Sequence, residues 1–311
     1  MKRTGSSCNH RAALASTGGA AYDREAYFPG FPMTYCVGIE VDEGLVFAAD
    51  TRTSASFDDV RVYRKMHVFE YPGDRVFVLL SAGNLATTQL TISRLKRDAE
   101  DPDCTRSLRT FKHLFEVAEY VGEVLVASQA AVTDQAQQSG VSVQSTLVLG
   151  GQIAGERPGL YMVYPLGNCI ATSPETPYLQ IGESKYGKPI LDRILRPGTT
   201  LEDAARCALV SLDSTIRSNL SVGMPLDMAI IRAGDLRISQ QLRLEADTPL
   251  YAEIHDTWSR KLENAVRTLP RFPWEPPRAG DEAEERGPAP VTAPPRRMAA
   301  RLDPGDEAGQ Q

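Results

Sequence analysis

The sequence predicts an α+β protein in which two mainly antiparallel sheets lie between layers of helices. Two observations lead to this fold class. Strand-like and helix-like segments occur in blocks, in the order strands, helix pair, strands, helix pair, strands and helix. Short turn sequences join neighbouring strands, which is typical of antiparallel pairs. A parallel nucleotide-binding sheet would need strands and helices to alternate one by one, so the sequence disfavours that class.

The first block contains three short strands followed by two helices. Its predicted strands are 35–41, 45–49 and 75–81. Asp42-Glu43-Gly44 separates the first two apolar runs and is typical of a hairpin turn. After Gly83, apolar residues recur at intervals of three and four, which is the helical period. This period predicts helices over 85–97 and 108–125.

The second half of the chain repeats this order. Its predicted strands are 142–149, 160–164, 178–181, 226–232 and 236–240. Its predicted helices are 188–195, 201–220 and 249–269. Thr200 is the expected N-cap of the second of these helices, because Glu202 and Asp203 in the next turn suit a helix N-terminus.

The segment Gly182-Glu-Ser-Lys-Tyr-Gly187-Lys188 has the spacing of a phosphate-binding loop. Pro189 follows it, where a serine or threonine would have to ligate Mg²⁺. The surrounding strands also do not predict a parallel sheet. We therefore interpret this segment as a turn between a strand and a helix.

The two ends of the chain differ in composition from its centre. Nine of the 21 prolines lie from Pro270 onward, among charged and small residues that offer little apolar surface to bury. Residues 1–33 also lack an apolar period. We expect a disordered extension over 1–33, a folded domain over 34–269 and a disordered Pro-rich tail over 270–311.

Composition excludes several classes of function. The net charge of −6 gives no basic surface for nucleic acid. Five widely spaced cysteines and four separated histidines favour neither a disulfide framework nor a metal site, so we expect no metal and no cofactor. The sequence contains neither a convincing signal peptide nor an apolar run of membrane-spanning length, which predicts a cytoplasmic protein without a membrane partner.

Thr34 is the strongest candidate for a reactive group. It directly follows Met33, and a small second residue permits removal of the initiator methionine. A threonine at the chain start carries both a hydroxyl nucleophile and an α-amine of ordinary pKa about 7.7–8.0, which can accept the hydroxyl proton near neutral pH. Such chemistry requires no histidine, in agreement with the scarcity of this residue.

A terminal nucleophile of this kind needs a nearby cation, and the cation needs a carboxylate to hold it. Lys65 and Asp50 provide these two groups. The residues alone leave simpler interpretations open: Asp50 as a turn residue, Lys65 as a solvated strand charge and Thr34 as an ordinary strand residue.

Several separated motifs resemble those of a known protein family. They are Thr34-Tyr-Cys-Val-Gly-Ile, Val46-Phe-Ala-Ala-Asp50-Thr-Arg-Thr53, Arg64-Lys-Met-His-Val-Phe-Glu70, Leu80-Ser-Ala-Gly-Asn-Leu85, Ile181-Gly-Glu-Ser-Lys-Tyr-Gly-Lys-Pro-Ile190 and Arg217-Ser-Asn-Leu-Ser-Val-Gly223. Together they resemble the proteasome β-subunit superfamily, and more closely its bacterial branch Anbu, the proposed ancestral β-subunit. The resemblance covers about 34–267. It implies the four-layer αββα fold of N-terminal-nucleophile hydrolases.

The resemblance also implies roles for individual residues. Thr34 becomes the nucleophile and its own amine the general base. Asp50 and Lys65 become the charge pair that tunes it, and the backbone N–H of Gly83 becomes an oxyanion donor.

Two supporting positions depart from the family pattern. Gly182-Glu183-Ser184 stands where the family has a serine in a Gly-Ser-Gly turn, so either Glu183 or Ser184 takes that place. The usual aspartate three positions before a supporting serine is Ser218 here, ahead of Ser221.

The expected function is that of a threonine peptidase that cleaves peptide or related amide bonds through an acyl-enzyme on Thr34. We expect translation to start at Met33 rather than processing of a propeptide. The resemblance further implies self-assembly into a ring or spiral, peptide or isopeptide substrates, and ATP-grasp-like and transglutaminase-like partner proteins. Two alternatives remain: a non-catalytic proteasome-like scaffold, and an amidohydrolase with a small dedicated substrate.

Overall fold

The computed structural model describes residues 34–56, 59–136 and 142–275. The chain divides into two compact units, Met1–Lys261 and Leu262–Gln311. The expectations for 1–33 and for the tail beyond residue 275 concern residues outside the described part of the chain. All the secondary structure below belongs to the first unit, except the end of the last helix.

The strands and helices of the described residues follow the predicted block order. The strands are β1 (Tyr35–Val41), β2 (Gly44–Asp50), β3 (Arg52–Ser56), β4 (Asp59–Val62), β5 (Met66–Tyr71), β6 (Arg75–Gly83), β7 (Ser145–Ile153), β8 (Gly159–Val163), β9 (Cys169–Ala171), β10 (Tyr178–Gly182), β11 (Leu226–Arg232) and β12 (Gln240–Leu244). The helices are α1 (Leu85–Glu100), α2 (Leu114–Ala136), α3 (Lys188–Ile194), α4 (Leu201–Ser218) and α5 (Pro249–Arg267).

Two five-stranded sheets form the centre of the first unit. One sheet has the order β10-β1-β2-β11-β12 and the other the order β5-β6-β7-β8-β9, while β3 and β4 form a separate pair. Neighbouring strands in both sheets are antiparallel. Helices α3 and α4 pack on the first sheet, and α1 and α2 pack on the second. The predicted αββα sandwich is therefore confirmed.

Alternating side chains of each central strand enter different layers of the core. In β1, Tyr35 and Val37 face the α3–α4 layer, whereas Cys36 lies between the two sheets. In β6, Leu79 faces α1 and α2, whereas Val78 lies between the sheets. Because both faces of each sheet are covered, the central strands are apolar at nearly every position, which made them easy to predict.

Helix caps agree with the sequence. Thr200 is the N-cap of α4, and its hydroxyl oxygen accepts a hydrogen bond from the N–H of Asp203 at 3.2 Å. Asn84 caps α1 in the same way, accepting from Thr87 at 3.0 Å. The predicted N-cap at Thr200 is confirmed.

Two element predictions are wrong. Residues 236–240 were expected to form a strand, but Gly234 and Leu236 have positive φ values of 89° and 47°, and the strand begins only at Gln240. The second helix begins at Leu114 rather than at residue 108. Leu108 is nevertheless buried, so its apolar character reflects packing of the preceding loop and not a helical turn.

The second unit, of which 262–275 are described, contains the end of α5 and a short turn. The rings of Phe272 and Trp274 stack there with centroids 4.5 Å apart. Among the helices of the described residues, none combines the length and apolar character needed to cross a membrane.

Candidate active site

Thr34 lies directly before β1, which is an inner strand of the first sheet, and is only 8% exposed. Its carbonyl oxygen accepts a hydrogen bond of 2.7 Å from the backbone N–H of Glu183. Gly182, the residue opposite Tyr35 in β10, has a φ of 84°. A Cβ at Gly182 would overlap the Thr34 carbonyl, so only glycine allows this close approach.

Asp50 and Lys65 form a buried ion pair beside Thr34. The Lys65 Nζ is 2.7 Å from the Asp50 Oδ1, and the two side chains are 7% and 0% exposed. Asp50 ends β2, next to β1, and the same Oδ1 accepts from the N–H of Tyr35 at 3.0 Å. The pair is thus attached to the peptide that directly follows Thr34.

Two further groups hold this ion pair in place. The N–H of Gly223 donates to the Asp50 Oδ2 at 3.2 Å, and the Lys65 Nζ donates to the carbonyl of Arg52 at 2.6 Å. Burial raises the pKa of the Asp50 carboxyl, and the Lys65 ammonium and the two backbone N–H groups oppose this shift. Burial also raises the pKa of the Cys36 thiol, which keeps that group neutral.

Gly83 ends β6 in the second sheet. The N–H of Ser81, two residues earlier, donates to the Lys65 carbonyl at 3.0 Å, so this strand end lies next to the ion pair. Gly83 has a φ of 114° and is exposed, unlike the rest of β6. A Cβ there would overlap the carbonyl of Gln144, so the position requires glycine and leaves its main chain accessible.

Glu183, Asn219 and Ser221 form a second polar network next to Thr34. Glu183 is 4% exposed, and its Oε2 accepts from the Asn219 Nδ2 at 3.1 Å. The Asn219 Oδ1 accepts from both the N–H and the hydroxyl of Ser221, at 3.0 and 2.6 Å. Sequence reasoning missed Asn219, because an asparagine at the end of a helix is ordinary.

The other two predicted supporting serines lie differently. Ser184 is half-buried, and its carbonyl accepts from the N–H of Lys188, the first residue of α3. Ser218 is exposed at the last position of α4. The segment from Gly182 to Lys188 joins β10 to α3, which confirms its interpretation as a strand-to-helix turn.

Within the residues that the structure describes, no group of three or more His, Cys, Asp or Glu side chains could hold a metal ion. A threonine at the start of an inner strand, a buried lysine-aspartate pair and an exposed glycine main chain converge instead. The fold is that of the N-terminal-nucleophile hydrolases, and these groups form its candidate active site.

Comparisons with known proteins agree with this class. The family model described as Proteasome subunit matches residues 34–231. Proteasome subunit beta 2 of Pyrobaculum aerophilum is 27% identical over 216 residues, which cover 67% of this chain and 93% of that protein.

Two solved structures are more similar. Anbu (ancestral beta-subunit) from Yersinia bercovieri is 43% identical, with a TM-score of 0.71, and the match covers 77% of this chain and 99% of that one. The structure of the helical assembly of the Anbu complex from Pseudomonas aeruginosa gives 42% identity, a TM-score of 0.73 and coverages of 78% and 99%. This chain belongs to the proteasome subunit family, in its Anbu branch.

Proposed function

We propose that this protein is a threonine peptidase that hydrolyses peptide or related amide bonds, with Thr34 as the N-terminal nucleophile of the mature chain. One observation carries the proposal: the buried Asp50–Lys65 pair, joined at 2.7 Å, is hydrogen-bonded to the peptide of Tyr35 directly after Thr34. A buried ion pair costs desolvation energy, so its location beside a buried hydroxyl supports a chemical role.

The proposed reaction has two steps. The α-amine of Thr34 takes the hydroxyl proton while Oγ attacks the substrate carbonyl, and the Lys65 ammonium favours the developing alkoxide. The N–H of Gly83 stabilises the tetrahedral oxyanion. The C–N bond then breaks, the leaving amine takes the proton from the Thr34 ammonium, and an acyl-enzyme remains. Water, deprotonated by the same amine, hydrolyses that ester and restores Thr34.

Assembly and partners extend this proposal. The Anbu complex of Pseudomonas aeruginosa forms a helical assembly, which supports the proposal that this chain self-assembles into a spiral or ring. Peptide or isopeptide substrates remain the proposed class, and ATP-grasp-like and transglutaminase-like proteins the proposed partners. Ser184, Ser218 and Ser221 remain supporting positions of the site.

A covalent probe tests the chemistry. Incubation of the assembled protein with a peptidyl β-lactone is expected to add one acyl group to Thr34, detected by peptide mass spectrometry. Thr34→Ala should abolish the adduct, whereas Thr176→Ala, in an exposed turn, should leave it unchanged. Absence of an adduct would favour the non-catalytic scaffold. An adduct together with turnover of small amides alone would favour the amidohydrolase.

The N-terminus requires its own measurement. Intact mass and N-terminal sequencing of protein expressed from the native locus are expected to give a chain that begins at Thr34. A mature chain that begins at Met1 or Lys2 would leave Thr34 without a free amine and would overturn the proposed function.

A further inference from the structure

Glu183 is a buried residue whose backbone is hydrogen-bonded to the main chain of Thr34 itself. Its N–H donates to the Thr34 carbonyl at 2.7 Å, one residue beyond the paired positions Tyr35 and Gly182. Residues that face each other on neighbouring antiparallel strands have Cα atoms roughly 4.5–5.5 Å apart. The Glu183 side chain therefore starts within one residue's reach of the Thr34 amine.

Asp50 has a cationic partner, whereas the partners of Glu183 in the described part of the chain are neutral. Among the described residues, the Glu183 carboxylate accepts from two neutral groups, the N–H of Lys185 at 3.0 Å and the Asn219 Nδ2 at 3.1 Å. Lys65 is engaged by Asp50. Burying a carboxylate without a cation costs free energy of folding, and a protonated amine at Thr34 would supply the missing positive charge.

Asn219 fixes the direction of the Glu183 carboxylate. Its Oδ1 accepts from the N–H and the hydroxyl of Ser221, so its NH₂ group must face the other way, toward Glu183. The loop that follows Asn219 is anchored too, since the N–H of Gly223 donates to Asp50. One loop thus contacts both buried carboxylates beside Thr34.

We propose that Asn219 is a positioning residue that holds the Glu183 carboxylate next to the Thr34 amine, where this carboxylate stabilises the positive charge that the amine acquires during acylation. The inference rests on the proposed function. It assigns to Glu183 the task that a third group performs for the general base in other nucleophilic enzymes.

The titratable groups around Thr34 determine the expected pH dependence. They are Asp50 on β2, Lys65 before β5, Cys36 on β1 and Glu183 after β10. Lys65 disfavours a second positive charge at the amine, whereas Glu183 favours it. Removal of the Glu183 charge should therefore let the amine lose its proton at lower pH, and should weaken it as a proton acceptor.

The experiment measures the rate of Thr34 acylation by a peptidyl β-lactone from pH 5 to 9 in the assembled protein, its mature N-terminus verified by mass. On the acidic side of its pH profile (the acidic limb), the acylation rate rises as the Thr34 amine loses its proton. In Glu183→Gln, the midpoint of this acidic limb should move down by about one pH unit, and the maximal rate should fall roughly tenfold. Asn219→Ala should shift the limb in the same direction by less. The double variant should behave like Glu183→Gln alone, because the two residues act through one interaction.

Matched controls are Glu175→Gln and Asn168→Ala, both at exposed turn positions. Lower rates with an unmoved acidic limb, or additive effects in the double variant, would overturn the inference. The pKa of the Thr34 α-amine, measured by NMR on threonine-labelled protein, gives a readout that does not need activity. A wild-type chain that begins at Thr34 and never reacts would overturn the proposed function, while this amine pKa would still decide the role of Glu183 and Asn219.

Discussion

Two buried carboxylates flank Thr34, and the structure stabilises them in different ways. Asp50 has a cation, Lys65, at 2.7 Å and accepts two backbone N–H groups in addition. Among the described residues, the Glu183 carboxylate accepts hydrogen bonds only from neutral donors, the backbone N–H of Lys185 and the side-chain amide of Asn219. Asp50 is therefore balanced by a cation already present in the fold, whereas the cation proposed for Glu183 is the amine of a mature chain that begins at Thr34.

A third titratable group extends the comparison. His67 lies on β5, close in sequence to Lys65, and its Nε2 is buried without a hydrogen-bond partner among the described residues. Burial, followed by repulsion from Lys96 and Arg64, lowers the pKa of His67 to about 4. Burial thus keeps His67 uncharged near neutral pH, whereas Asp50 lies beside a cation and Glu183 beside neutral donors.

The largest effect is expected on the Asp50 side. Lys65→Met leaves the Asp50 carboxylate buried without its cation, and the free energy of unfolding at pH 8 should fall by about 3–5 kcal/mol. Without the ammonium, burial raises the Asp50 pKa further, so the folded state binds this proton more readily than the unfolded state. The loss should therefore shrink as the pH falls. Urea unfolding at pH 8 and pH 5 measures both effects.

Lys112→Met, on an exposed lysine, is the matched control and should change stability by about 0.5 kcal/mol or less. A loss in Lys65→Met no greater than in this control would show that the Asp50 carboxylate does not depend on its cation.

His67 should produce the next largest effect. Unfolded His67 takes up a proton near its ordinary pKa of 6.5, while the folded protein resists protonation down to about pH 4. The unfolded state then binds more protons in this window, so His67 should reduce stability by up to about 3 kcal/mol as the pH falls through it. His67→Gln should remove this contribution in urea titrations at pH 6.5 and pH 4. His113→Gln, at an exposed histidine, should retain the contribution of His67. If the free energy of unfolding depended on pH equally in the two variants, His67 would not be the group responsible.

The Glu183 side should respond less than the Asp50 side. Asn219→Ala removes a donor to Glu183 and an acceptor for Ser221, which should cost about 1–3 kcal/mol of unfolding free energy. Asn168→Ala should cost about 0.5 kcal/mol or less. Thermal and urea unfolding measure the difference. A loss as large as that of Lys65→Met would mean that the neutral donors stabilise Glu183 as strongly as a cation stabilises Asp50.

The strands were predictable where burial on both faces makes them continuously apolar, as in β2 and β6. Residues 236–240 misled the sequence argument, because Leu236 and Ile238 alternate with polar neighbours in the manner of a strand. Leu236 instead lies at positive φ in the loop between β11 and β12, and Ile238 packs against the inter-sheet core from the same loop. Alternating apolar and polar residues indicate which side chains are buried, but a buried side chain need not lie in a strand.

Part of the candidate site could be proposed from the sequence for a different reason. Thr34, Asp50 and Lys65 followed from motifs and from the chemistry of a terminal nucleophile. Asn219 had no such signal, because its bond to Glu183 joins residues 36 positions apart and its place at a helix end is unremarkable in sequence. Contacts of this kind arise from the pairing of β1 with β10 and the return of the chain after α4, neither of which has a local pattern.

A third buried carboxylate tests whether location or burial matters. Asp213 on α4 accepts from the Tyr251 hydroxyl at 2.8 Å and from the His255 Nδ1 at 2.6 Å, both on α5. Burial raises the pKa of Tyr251, so its hydroxyl remains a donor at neutral pH. Tyr251→Phe should cost about 1 kcal/mol, because His255 still contacts the carboxylate. The rate of Thr34 acylation should stay at the wild-type value.

Urea unfolding and β-lactone labelling of the same Tyr251→Phe sample provide the comparison. A slower acylation, or a shift of the acidic side of its pH profile, would show that a change in the core affects Thr34 without altering a charge next to it. The effects expected at Asp50 and Glu183 could then not be attributed to electrostatics. An unchanged pH profile alongside the stability loss would instead tie those effects to the two carboxylates beside Thr34, since Asp213 is just as buried as they are.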